Sequence, residues 1–187
     1  MVIGTRQWVL AGAVTLLSAP CFAHVGHLGE HGMQASFTTG FLHPLTGLDH
    51  LTALILIGIF AASYSSRKAA QIIGCFALAL IGGFFVGVEW SSAHQVEGLV
   101  TVSLVILPIA VYALRKGGAM RWVAMLAIAA FSACHGLVQG AEAIGAVSEF
   151  GFGSLTASVL VMTATMLIAR WIKSASRELH CAKRRRN

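Results

Sequence analysis

The run His43-Pro44-Leu45-Thr46-Gly47-Leu48-Asp49-His50 puts two imidazoles and a carboxylate inside an otherwise apolar stretch. A charged side chain at the centre of a bilayer costs about 2.5–3.5 kcal/mol on insertion scales, so such groups normally face a partner or a water-filled path. On one continuous helix, His43 and His50 would lie two turns apart on a single face. Asp49 is placed either to ligate a cation or to orient an imidazole from behind. Pro44 and Gly47 loosen the helical ladder at the same point. A polar cluster that merely packs helices together is the plainer alternative for the same residues.

A second run, His135-Gly136-Leu137-Val138-Gln139-Gly140-Ala141-Glu142, puts His135, Gln139 and Glu142 on one helical stripe. Gly136 and Gly140 form a small-xxx-small face beside it, and Gly83 and Gly87 repeat the pattern earlier in the chain. Glu97 is a further carboxylate at the end of another apolar segment, where an interfacial residue is equally expected. A third cluster, His24, His27 and His31, is spaced by glycines. If the chain is cut before His24, the new amine and the His24 ring form a chelating pair that His27 and His31 can join; a plain polar leader has the same composition.

Imidazole with carboxylate is the donor set of borderline divalent transition metals, whereas calcium and magnesium take oxygen donors. Cys75 and Cys134 offer soft ligands, although a lone cysteine within a membrane more often packs as a small apolar residue. The chain has no GxxxxGK[ST] run and no HExxH, so neither a built-in ATPase nor a zinc protease is indicated. No serine–histidine pairing stands out as a nucleophilic site.

The elements that must position these groups are membrane helices. Of 187 residues, 57% are hydrophobic and only 11% charged, with a mean hydropathy of +0.78. That charged fraction is about half of what a soluble domain carries. Apolar runs near the length that crosses ~30 Å of hydrocarbon as a helix fall at about 37–64, 69–88, 96–114, 122–142 and 150–172. The expected fold is all-α and polytopic, with five transmembrane helices after a signal peptide, or six helical elements if Pro44 and Gly47 break the first.

Residues 1–23 read as the signal: Arg6, an apolar core, then Cys21-Phe22-Ala23 before the cut. An uncleaved first helix is the alternative, but its apolar core is short for a span. A His-rich periplasmic leader at 24–36, a transmembrane domain at 37–172 and a basic cytoplasmic tail at 173–187 complete the organisation.

Charge sets the expected orientation. With a periplasmic amino terminus after signal cleavage and a cytoplasmic carboxy terminus, all 13 Lys and Arg fall on the cytoplasmic side: Arg6 in the signal, and the rest between spans one and two, between three and four, and at the end of the chain from Arg170. The +6 formal charge is therefore a topology signal and calls for anionic lipid, not nucleic acid. Six of the seven carboxylates and seven of the eight histidines fall toward the outer side or within the bilayer, which would concentrate a cation there.

These residues resemble the HupE/UreJ family of nickel and cobalt permeases. The match is strongest in its His-x5-Asp-His signature, here His43, Asp49 and His50. The AHVGH start, the VEGLVTVSLVIL run with Glu97, the HGxxxGxE run ending in Glu142, and Phe76 in the second span are also similar to it. Gln139 departs from the second histidine that many members have there. The resemblance implies a secondary permease of the bacterial inner membrane, not an enzyme, without a permanent cofactor, whose cargo is Ni2+ or Co2+. It implies His43, Asp49, His50, Glu97 and Glu142 as functional positions; His135, His24 and His27 join them as metal-binding candidates from the residue patterns. A cytoplasmic metallochaperone is a candidate partner. The rivals are a membrane metalloenzyme that retains its metal and a non-transporting membrane subunit.

Overall fold

The computed structural model describes residues 36–90, 95, 97–143 and 145–186. The segment read as a signal and residues 24–35 of the expected leader, with His24 and His27, lie outside the described residues. The described chain forms six helices: α1 Phe37–Thr46, α2 Leu48–Ala61, α3 Ser66–Val88, α4 Glu97–Ala113, α5 Gly118–Glu142 and α6 Val147–Arg186. A 3-10 turn, Leu114–Lys116, follows α4. Among the described residues, four helices are long and apolar enough to cross a membrane, and α1 with α2, bent by 78°, counts as a fifth if the pair is one span. The protein is thus an all-α, multi-pass membrane protein, with the first span broken where Pro44 and Gly47 stand.

The break has a local cause. Pro44 has no N–H to give and its ring crowds the carbonyl one turn back. Gly47 then leaves helical geometry, at φ −76° and ψ 108°, closing α1 through Gly47 N–H to His43 O at 3.1 Å. Its own carbonyl accepts from Leu51 N–H at 2.9 Å and so starts α2. Thr46 Oγ1 donates to the carbonyls of Leu42 and His43 at 3.1 and 3.2 Å, covering backbone that the break exposes. At its other end α1 opens with a reciprocal cap, Ser36 N–H to Thr39 Oγ1 and Thr39 N–H to Ser36 Oγ.

α3 and α5 form the tightest pair. A Cβ on Gly83 would lie 1.9 Å from Ala133 O, and one on Gly87 2.0 Å from Leu137 O. Reciprocally, Gly136 and Gly140 meet Leu80 O and Phe84 O at 2.0 and 2.1 Å. Both sets advance together along the chain, so the helices run parallel, with their backbones in direct contact. Without water to drive apolar burial, such close packing is what holds membrane helices together. Around this pair, α6 packs on α1, α2 and α3, and α4 lies against α2 and α5. Phe60, Ile72, Phe76, Leu107, Ile128 and Met162 fill the core, while Leu78, Phe85, Leu126, Leu160 and Trp171 face outward where lipid would lie.

One end of the bundle gathers the cations. Arg115 stacks over Tyr64 and Tyr112, at 5.4 and 5.5 Å from the ring centres. Arg170 donates to Tyr64 O at 3.0 Å and to Ser66 Oγ at 3.2 Å, and Lys173 donates to Ser63 Oγ at 2.9 Å. The Tyr64 hydroxyl donates to Val111 O, and burial holds this phenol above its ordinary pKa. The segment expected as a tail at 173–187 differs in one respect: α6 runs on to Arg186. No glycine or proline follows Gly153, and the residues after Ile172 are rich in Ala, Arg, Lys and Glu, which favour helix.

Candidate functional site

The break between α1 and α2 turns the first motif into a corner. The expectation that His43 and His50 share one face of one helix is corrected here, because the 78° bend places them on different helices. The bend still brings them together, with ring centres 5.5 Å apart. Across from them, α5 supplies His135, whose ring centre is 4.8 Å from that of His50. Three imidazoles from three helices therefore stand in a row, His43–His50–His135. Phe150 of α6 lies against the His43 end at 5.4 Å, and Phe76 of α3 against the His135 end at 6.2 Å.

Hydrogen bonds fix how the inner two rings are presented. Asp49 Oδ1 accepts from His50 N–H at 2.8 Å and lies 3.1 Å from His50 Nδ1. A carboxylate only accepts, so Nδ1 carries the proton, and in its neutral form the ring has its lone pair on Nε2. His50 is 6% exposed, and Nε2 is buried without a hydrogen-bond partner among the described residues. Asp49 thus orients the ring from behind, the arrangement that a carboxylate gives a metal-binding histidine.

His135 is set by a residue that the sequence did not bring forward. Ser103 Oγ of α4 donates its one proton to Val100 O at 2.5 Å and lies 2.7 Å from His135 Nε2. The serine must accept there, so His135 carries its proton on Nε2 and its lone pair on Nδ1. The only sequence hint of Ser103 was a hydroxyl inside an apolar segment, which on most helices merely bonds its own backbone.

The stripe on α5 continues toward the outer end of the row. Gln139, 1% exposed, accepts from Ser154 Oγ of α6 at 2.5 Å, so this amide is tied to a neighbouring helix. Glu142 ends α5 and is partly open; its Oε2 lies 3.4 Å from His43 Nε2. His43 Nε2 is buried and makes no hydrogen bond among the described residues, so the two groups are neighbours without a formed hydrogen bond. The first motif and the α5 stripe therefore meet at two points, His43 with Glu142 and His50 with His135. Glu97 is the first residue of α4, and its side chain lies outside the description. Cys134 and Cys75 are half-buried free thiols, with Cys134 packed beside Val100 and Val138.

No three of the His, Cys, Asp and Glu side chains among the described residues come close enough together to hold a metal ion. The arrangement is a line of separate donors, not a closed cage. Chemically it offers nitrogen lone pairs in sequence, with one carboxylate behind the second ring and another at the outer end of the line.

No solved structure gave a significant match. The chain is 26% identical over 147 residues to Protein HupE of Rhizobium leguminosarum bv. viciae, covering 78% of this chain and 74% of that protein. The family model described as HupE / UreJ protein matches residues 12–184, nearly the whole length, and the chain belongs to that family.

Proposed function

We propose that the protein is a secondary permease that imports a divalent transition metal, nickel first and cobalt next, across the bacterial inner membrane. The observation that carries this reading is His50 Nε2: a buried nitrogen lone pair, aimed by Asp49, without a partner, between two further imidazoles. Leaving such a group unsatisfied is costly unless something uses it. Nitrogen and carboxylate donors suit a borderline divalent ion. A row of incomplete sites suits passage, because a transported ion must bind well enough to come in and weakly enough to leave.

The outer end of the path is the Glu142–His43 end, taken as periplasmic from the opposite placement of Lys and Arg. The ion would pass Glu142 and His43 to His50 and His135, with Glu97 assigned to the same outer side. The membrane potential is sufficient to drive it, since a divalent ion gains about twice ~2.3 kcal/mol per 100 mV.

Radiolabelled nickel and cobalt uptake into cells tests the reading. His43→Ala and His50→Ala should abolish uptake while the protein inserts at normal levels. Asp49→Asn should weaken apparent affinity by about 10–100-fold, the usual cost of losing a group that orients a ligand. Wild-type uptake by both histidine variants would overturn the proposal and leave helix packing as the role of these residues.

A further inference from the structure

At the end opposite the imidazole row, the parallel pair α3 and α5 parts around a cavity of about 1170 Å3. Lys68, Arg115 and Arg121 line its rim, and none of the described residues that line it is acidic. Below the rim the wall is apolar, with Leu78 and Ala79 from α3 and Met125 and Ala129 from α5. Leu78 and Trp122, both on the wall, are 72% and 75% exposed, so the cleft is open to its surroundings. Lys68 and Ala79 are about 16 Å apart along α3 at ~1.5 Å per residue, close to the depth of one leaflet's hydrocarbon, half of ~30 Å.

We propose that this cleft is a binding site for one anionic phospholipid, its headgroup phosphate among Lys68, Arg115 and Arg121 and an acyl chain lying against the apolar wall between α3 and α5. Charge complementarity selects the occupant. Three cations without a lining carboxylate repel a metal ion, so the cleft is not a storage site for the cargo proposed above. A soluble acidic peptide would satisfy the rim but leave a leaflet-deep apolar wall uncovered. A second copy of the chain would bring the same cationic end against itself. Trp122 stands on the wall at the level where amphipathic rings meet headgroups. The inference uses only the membrane fold and does not depend on what is transported.

Native mass spectrometry of the full chain, purified in detergent and titrated with lipid, tests it. Phosphatidylglycerol should bind in preference to phosphatidylcholine with a stoichiometry near one. Lys68→Gln with Arg121→Gln should cut that preference by about tenfold or more, since each surface cation contributes about 1 kcal/mol toward anionic lipid. Arg67→Gln with Lys116→Gln removes the same charge from the same end of the bundle at residues outside the cleft and should leave it intact. Ala79→Phe narrows the apolar wall and should weaken lipid while sparing the rim. Equal losses from the two charge pairs would overturn the site in favour of diffuse attraction. Inorganic phosphate that binds as tightly as the lipid and is indifferent to Ala79→Phe would overturn it in favour of a free-anion site.

Discussion

The two ends of the α3–α5 pair are built from the same two helices to opposite effect. Toward the imidazole row, four glycines let the backbones touch, and the space between helices is too small for a methyl group. Toward the cations the same helices stand apart around a cavity, and a Cβ added at Gly74, on its wall, would meet nothing within 4 Å. Backbone contact at the first end holds α5 rigidly where it must present His135 and Glu142 to α1 and α2. Looser packing at the second end lets α3 and α5 take up lipid without disturbing that register. Rigidity is thus concentrated where donors from three helices have to align, which is where small errors in position would cost most.

The sharpest way to break this comparison is to add a methyl at the closed end. Gly83→Ala with Gly136→Ala forces a Cβ to within about 2 Å of a carbonyl on each side, a clash with backbone that no rotamer change relieves. The expected loss is about 3 kcal/mol, the upper part of the range for overpacking. It is read as a lower midpoint for loss of monodisperse protein on heating in detergent. An unchanged midpoint would mean that α3 and α5 are not in backbone contact.

Next in size is Ser103→Ala. It leaves the buried Nε2–H of His135 without its acceptor, at a cost of about 1–3 kcal/mol. It also frees His135 to flip its proton to the other nitrogen. Uptake should fall more than the midpoint does, and Ser103→Thr, which keeps the hydroxyl, should restore it. Loss of stability without any change in uptake would confine Ser103 to packing.

How much of this was readable beforehand follows from the range of each interaction. The spans, the break at Pro44–Gly47 and the small-residue faces depend on local composition, and all appear where the residues indicated. Asp49 against His50 is a contact between neighbours and was open to reading as an orienting pair. The meetings of His43 with Glu142, His50 with His135 and Gln139 with Ser154 were not, because the register between helices far apart in the chain decides them. The shared-face argument for His43 and His50 failed for the reverse reason: a local break changed the geometry on which it stood. After Ile172 the charge was legible, but the continuation of the helix was not, since a run of cations suits a solvated tail and a helix alike.

Gly47→Ala tests the corner itself. Its φ is negative, so alanine meets no backbone penalty there, but the new Cβ would stand 3.2 Å from His50 Nδ1 and 3.5 Å from Asp49 Oδ1. The pair must shift by a few tenths of an ångström. A stability change near 1 kcal/mol is expected, the low end of overpacking, with a several-fold weaker apparent affinity in uptake. Unchanged affinity would show that the Asp49–His50 geometry tolerates slack.

The smallest effect should carry the opposite sign. Gly74→Ala is the same chemical change as Gly83→Ala, made about two and a half turns earlier on the same helix. Its Cβ meets nothing within 4 Å, so overpacking does not arise. What remains is the backbone term, because glycine inside a helix is less favourable than alanine by roughly 0.5–1 kcal/mol. Neighbouring Gly82, also open, provides an internal repeat next to the closed Gly83. Both open-site alanines should raise the thermal midpoint slightly or leave it unchanged, with uptake intact. If Gly74→Ala destabilised as strongly as Gly83→Ala, the inner halves of α3 and α5 would have to be packed together in the membrane, and the contrast between a closed and an open end would be lost.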